Sequence, residues 1–147
     1  MSRKYEVVTD INAPASRVWK ILSDLDTWLQ WSRINPGASG TPVVGGKLTL
    51  NTLAAPDKVQ SAVATVVEYE PERVLRWTGG LPVPGLYRIE HWFRIESLGE
   101  SRCRLIHGEE HRGLLVGLVL KPFGSDFESY YQDTNIALKA LAEEGST

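Results

Sequence analysis

The chain has 147 residues, 42% of them hydrophobic and 23% charged, the composition of one ordinary globular domain. At this length folding buries roughly 70% of the surface an unfolded chain exposes, so one core can hold the fold without staples. The 16 basic residues against 18 acidic ones leave a net charge of −2, which gives no electrostatic reason to expect nucleic acid or an anionic membrane as a partner.

The single cysteine, Cys103, excludes an internal disulfide and points to a reducing, cytoplasmic compartment. Met1 to Glu6 lacks the apolar stretch of a signal peptide. The most apolar run, Leu114 to Leu120, is interrupted by Gly117 and is far shorter than the about 20 residues that span a bilayer. Integral membrane association is therefore not expected. Without repeats, linkers or low-complexity tracts, residues 1–147 read as one domain.

In chain order, Arg3 to Ile11 alternates moderately and is rich in Val, Thr and Tyr, the pattern of a strand. Asn12-Ala13-Pro14 ends it, and Pro14 suits the first turn of a helix, where its missing N–H costs nothing. Val18, Ile21, Leu22 and Leu25 recur at helical spacing, and Asp24 or Asp26 can cap a second short helix carrying Trp28, Leu29 and Trp31. Asn35-Pro36-Gly37 to Pro42 is turn chemistry. Strands follow from Gly45 to Leu53, Val59 to Tyr69 and Arg73 to Thr78, with turns at Ala54 to Asp57 and at Glu70-Pro71-Glu72. Read as a hairpin, the last turn sets Val67 opposite Leu75 and Thr65 opposite Trp77. Gly79 to Gly85 holds three glycines and two prolines and reads as a loop.

Leu86 to Ser97 alternates cleanly. Tyr87, Ile89, His91, Phe93 and Ile95 lie on one face, and Arg88, Glu90, Trp92, Arg94 and Glu96 on the other. Leu98-Gly99-Glu100 turns into Ser101 to His111, where Cys103, Leu105, His107 and Glu109 share a face. From Asp126 the period becomes helical. Phe127, Tyr130, Tyr131, Thr134, Leu138 and Leu141 form one stripe, and Gly145 ends it. A helix over Asp126 to Glu143 is roughly 30 Å long, enough to cross a domain.

This order of one strand, two short helices, a run of antiparallel strands and a long C-terminal helix resembles the START/Bet v 1-like superfamily, specifically its bacterial polyketide cyclase/dehydrase-like branch. Three stretches carry the resemblance: Ile11-Asn12-Ala13-Pro14-Ala15-Ser16-Arg17-Val18-Trp19; the Trp28 to Trp31 segment; and Leu105-Ile106-His107-Gly108-Glu109-Glu110 with Gly113 just after. The resemblance covers essentially the whole chain. The resemblance implies an α+β helix-grip fold, with a curved antiparallel sheet wrapped around the C-terminal helix and a cavity between them. It does not imply one function, since members include lipid carriers, hormone receptors, aromatases/cyclases and chaperone activators.

No strong catalytic signature is present. Gly45-Gly46 is a lone pair rather than a phosphate loop, and neither Gly-x-Ser-x-Gly nor His-Glu-x-x-His occurs. Glu109-Glu110-His111 has no second Cys or His at metal spacing, so neither metal nor cofactor is expected. What remains is a cluster set by strand phase: His91, His107 and Glu109 point to the apolar side. If the 98–100 turn is the whole loop, His91 lies opposite His107, Ile89 opposite Glu109 and Tyr87 opposite His111. A loop two residues longer pairs His91 with Glu109.

Burial would oppose charge on these groups while a carboxylate would favour an imidazolium. The cluster therefore reads as an acid–base group, as polar recognition of a ligand, or as a self-satisfied network in the core wall. Tyr130 and Tyr131 either aim phenols into the cavity or simply pack. Trp77 and Phe93 read as cavity wall, Trp19 as helix-to-sheet core and Cys103 as an inert small hydrophobe. Trp92 falls outside, under cross-strand Arg side chains or facing a partner. The loop Gly79 to Gly85 and the stretch Gly113 to Leu120 either close over the cavity mouth or pack on the core as ordinary loops.

The expected ligand site comprises Thr65, Trp77, Tyr87, Ile89, His91, Phe93, Leu105, His107, Glu109, Phe127, Tyr130, Tyr131 and Thr134, with His91, His107 and Glu109 as catalytic candidates. Three functions stay open: a non-catalytic binder or carrier of a hydrophobic small molecule, a cyclase, dehydratase or aromatase, and a protein-interaction module. Binding, which needs only the cavity, is preferred because no catalytic signature rises above chance. The sequence is compatible with a monomer or a homodimer.

Overall fold

The computed structural model describes residues 1–144, so the helix stop expected at Gly145 lies outside the described residues. Seven strands form one antiparallel sheet: β1 (Ser2–Ile11), β2 (Ala38–Gly40), β3 (Lys47–Ala55), β4 (Lys58–Glu70), β5 (Val74–Gly80), β6 (Arg88–Ser97) and β7 (Cys103–Arg112). Their order is β1-β7-β6-β5-β4-β3-β2, so the first strand closes against the last. Helices α1 (Ala15–Ser23) and α2 (Trp28–Trp31) follow β1, α3 (Val116–Leu120) follows β7, and α4 (Phe127–Glu144) ends the described chain. The concave face of the sheet grips α4, which packs against β1, β7, α1 and α2.

Local chemistry sets the helix boundaries. Pro14, extended at φ −67°, precedes α1, which buries Val18, Trp19 and Leu22. Asp24 ends it, and its carboxylate accepts from Asp26 N–H (3.2 Å) to cap a 3₁₀ turn over Leu25–Thr27. The indole N–H groups of α2 are satisfied locally: Trp28 donates to the Leu22 carbonyl (2.9 Å) and Trp31 to Thr27 Oγ1 (3.0 Å). Helix α4 buries Phe127, Tyr131, Thr134, Asn135, Leu138 and Ala142. Leu141, assigned to the same stripe by spacing, is only half-buried, and Ala142 takes its place. Leu138 is fully buried among the α1, α2 and sheet residues. Leu138→Ala is expected to lower the unfolding free energy by about 2–5 kcal/mol. An unchanged urea midpoint would contradict that burial.

The β4–β5 register differs from the expected one, and the β6–β7 register follows one of the two alternatives. A bulge at Val67 makes Val66, not Thr65, the partner of Trp77, and sets Tyr69 opposite Leu75. Ala64 and Val66 therefore face the core, while Thr65 points outward and accepts a hydrogen bond from Lys47 Nζ (2.6 Å). The β6–β7 loop runs over 98–102, closed by Leu98 N–H donating to the Arg102 carbonyl (2.9 Å). Ser97 then pairs with Cys103 and His91 with Glu109, the longer-loop alternative, while Phe93 pairs with His107.

Trp92 lies on the convex face, as its phase requires, yet only 7% of it is exposed. Its ring rests in the hollow over Gly108, where a Cβ would meet the indole at 2.6 Å. Lys4 and Arg76 cover it, and its Nε1–H donates to Glu6 (3.0 Å). The residues expected as one loop from Gly79 divide, with Gly79 and Gly80 extending β5. The apolar stretch after Gly113 becomes α3.

Candidate functional site

The interior of the grip is filled on one side only. Trp28, Trp31, Trp77, Phe93, Leu105 and Leu138 pack beneath α1 and α2. A second cluster of Ile34, Val116, Leu120, Phe123, Phe127 and Tyr131 lies beside α3. Between this cluster and β3–β7 is a cavity of about 510 Å³. Leu50, Leu53, Ala62, Ala64, Gly79 and Ile89 supply apolar wall from the sheet, and Leu118, Val119, Leu120, Phe123 and Phe127 supply it from the helical side. Leu81 and Leu118, both lining residues and both exposed, mark the mouth. The volume is within the range of small-molecule pockets.

Tyr87, Glu109 and His111 form the polar part of the wall, and a side-chain chain runs back from them into the core. Asn135 Nδ2 donates to the Val7 carbonyl (3.4 Å) and to Thr9 Oγ1 (3.0 Å), which turns its Oδ1 toward His107. His107 Nδ1–H therefore donates to Asn135 Oδ1 (3.0 Å). Burial, and then the neighbouring His91, hold the His107 pKa well below its ordinary value despite Asn135 and Glu109. A neutral His107 with a protonated Nδ1 has a lone pair at Nε2, so His91 Nε2–H donates to it (2.7 Å).

His91 Nδ1 then faces Glu109 Oε1 at 3.7 Å, and Glu109 Oε2 faces His111 Nε2 at 3.6 Å. Both separations are longer than hydrogen bonds. Glu109 is the carboxylate of the cluster. Burial opposes its ionisation, but the adjacent imidazoles of His111 and His91 outweigh burial and hold its carboxyl at about 2. Burial, followed by the Glu109 charge, raises the Tyr87 phenol above its usual range, so it stays protonated. In the neutral tautomer of His111 that Tyr87 hydroxyl donates to Nδ1 (2.8 Å) and Nε2–H points at Glu109.

This arrangement makes stability pH-dependent with a definite sign. Folded His107 refuses a proton that the unfolded chain accepts below about 6.5, so its contribution falls as pH drops through that value. Glu109, depressed from 4.5 to about 2, stabilises above 4.5 and loses that contribution as pH falls toward 2, with the same sign. We expect His107 alone to give a slope of about 1.4 kcal/mol per pH unit below pH of about 6. The slope is read as the difference in unfolding free energy between wild type and His107→Gln. Parallel profiles would contradict the burial of a neutral imidazole.

A model of the polyketide cyclase / dehydrase and lipid transport family matches residues 2–143. The chain belongs to this family. No curated protein matches it. Among solved structures, the chain is similar to the Zhui aromatase/cyclase from Streptomyces sp. R1128, at 15% identity and a TM-score of 0.78 over 100% of this chain and 97% of that one. It is also similar to a norcoclaurine synthase point mutant from Thalictrum flavum in complex with a transition-state analogue, at 10% identity and a TM-score of 0.70 over 100% and 98%. A START superfamily protein from Mycobacterium smegmatis matches at 18% identity and a TM-score of 0.71 over 96% and 97%. At these identities the likeness is one of fold.

In this member of the polyketide cyclase / dehydrase and lipid transport family, only part of the expected site lines the cavity. Tyr87, Ile89, Glu109 and Phe127 do. Thr65 does not, because the β4 bulge turns it to the convex face. Trp77, Phe93 and Leu105 lie deeper, in packed core. His91 and His107 are fully buried behind Glu109, stacked on Trp77 (4.3 Å) and Phe93 (4.1 Å) respectively. Thr134 is structural: it donates to the Tyr130 carbonyl (2.7 Å) and accepts from Arg33 N–H (2.9 Å). Tyr130 packs edge-on against Phe123 at 5.7 Å. Tyr131 is buried, with its ring 5.0 Å from that of His107 and its hydroxyl without a hydrogen-bond partner among the described residues.

The expected hydrogen-bonded group of His91, His107 and Glu109 exists only in part, since Glu109 meets His91 beyond hydrogen-bond reach. Two members of the chain were missed. His111 is in phase with His107 and Glu109, and Asn135 lies four residues after Tyr131, one helical turn along the same face. Cys103 is fully buried, its thiol pushed up to about 11 by burial and then by Asp10. Among the described residues no helix is long and apolar enough to cross a membrane.

Proposed function

We propose that the protein binds one apolar small molecule in the cavity between α3, α4 and the concave sheet, with the molecule's polar end against Tyr87, Glu109 and His111. The supporting observation is a largely apolar cavity of about 510 Å³ with its polar groups gathered at one wall. The family's description, polyketide cyclase / dehydrase and lipid transport, is consistent with such a ligand. Native mass spectrometry of protein purified from its own host tests the proposal. A retained mass that is lost on denaturation is expected, and only the bare chain mass would count against it.

A second reading, acid–base conversion of the bound molecule, is favoured by one feature. Tyr87 carries a hydroxyl at the cavity wall, backed by an imidazole that is itself backed by a carboxylate. Protein carrying His111→Gln separates the two. The same molecule recovered from wild type and variant favours binding alone, and a different, unconverted molecule on the variant favours catalysis. A protein-interaction module would need a filled interior and a conspicuous surface patch, for which Trp92 is one candidate. The cavity and the cover over Trp92 leave it without support.

A further inference from the structure

The polar wall of the cavity is one-sided in its hydrogen-bonding chemistry. The Glu109 side chain is 8% exposed and is part of the cavity lining. As a carboxylate it only accepts. Its nearest imidazole nitrogens stand at 3.7 Å and 3.6 Å, beyond hydrogen-bond length, so among the described residues its lone pairs are left open. When the Tyr87 hydroxyl proton is given to His111 Nδ1, the phenolic oxygen too is left as an acceptor. Among the described residues no lysine or arginine lines the cavity, and the other polar groups there, such as Asn35, Thr52 and Gln60, are uncharged.

We infer that the molecule taken by this cavity meets Glu109 with a hydrogen-bond donor, a hydroxyl or an ammonium group, and that carboxylate- and phosphate-headed molecules are rejected. The inference rests on the binding function proposed above. A donor head fills the open lone pairs of a buried carboxylate, and a bond to a charged acceptor is among the stronger ones. An anionic head would lose its hydration against a second anion, with no lysine or arginine among the described residues of the wall to compensate it.

Three probes of one shape test this at neutral pH: β-naphthol, β-naphthoate and naphthalene, each titrated calorimetrically into the full chain. β-Naphthol is expected to bind at least about tenfold more tightly than β-naphthoate. Glu109→Gln, whose amide can donate to a carboxylate, is expected to narrow the ratio to about threefold or less. Gln60→Lys, on an exposed part of β4, adds a cation to the wall and is expected to move the ratio toward β-naphthoate by about tenfold. It keeps the test decisive should Glu109→Gln not fold.

Equal or tighter binding of β-naphthoate by wild type would overturn the inference, and naphthalene binding alongside it would leave the cavity function standing. A ratio unmoved by both variants would also overturn the inference. Failure of all three probes to bind would overturn the inference and the proposed function together.

Discussion

Trp77→Ala is expected to lower the unfolding free energy by about 3–5 kcal/mol, measured by urea denaturation. The indole is fully buried, so its removal leaves a cavity. Its ring stacks on His91 at 4.3 Å and 7°, and lies 5.6 Å from Trp28 and 6.0 Å from Phe93. Those neighbours are aromatic, rigid and held by other contacts, so they can collapse into the space only in part. Trp77→Ala also removes the plate that orients His91 toward His107 and Glu109. Trp77→Phe, which keeps an aromatic face, is expected to recover more than half of the loss. A change below about 1 kcal/mol for Trp77→Ala would show that the floor beneath the cluster is not packed as described.

Much of the fold was legible because alternation on β6 and β7 is clean. Arg88, Glu90, Arg94 and Arg104 could not enter a core without partners, which forces Ile89, His91, Phe93, His107 and Glu109 inward. Strand phase, however, says which face a residue takes and not which partner it meets. The pairing of His91 with Glu109 depended on whether the loop stopped at Glu100 or ran to Arg102, a matter of one backbone hydrogen bond. Thr65 was misplaced for a related reason. Val66 and Val67 are consecutive β-branched residues, so the local pattern carries no alternation, and the bulge between Val66 and Glu68 resets the face.

The candidate site was legible to a smaller degree. Apolar residues of the concave face read alike whether a helix covers them or empty space does. Trp77 and Phe93 are covered by α2, whose Trp28 and Trp31 stack edge-on against Phe93. Ile89, two residues before His91, is left facing the cavity. That division depends on where α2 ends and how far α3 stands from β3 and β4, which no local periodicity encodes. His111 was within reach of the same phase argument that found His107 and Glu109. Asn135 was hidden by its polarity in a stripe defined by apolar residues, although burial of a polar side chain bound to Val7, Thr9 and His107 is what makes it informative.

The claim at the centre of the proposed function is that the space between α3 and the sheet is a binding cavity, and Gly79 gives the most direct access to it. Gly79 follows Trp77 by two residues on β5 and so faces the same side. A Cβ there would stand 3.5 Å from the Val63 carbonyl oxygen, 3.7 Å from Ile89 Cγ1 and 3.9 Å from Ala64 Cβ, which are ordinary contacts. Gly79→Phe should therefore fold and place its ring in the cavity beside Ile89. Calorimetric titration of β-naphthol into wild type and Gly79→Phe is the measurement. One molecule bound per wild-type chain, with affinity reduced at least about tenfold in Gly79→Phe at an unchanged unfolding midpoint, is the predicted result. Equal affinity of wild type and a folded Gly79→Phe would place the ligand elsewhere and contradict the proposed site.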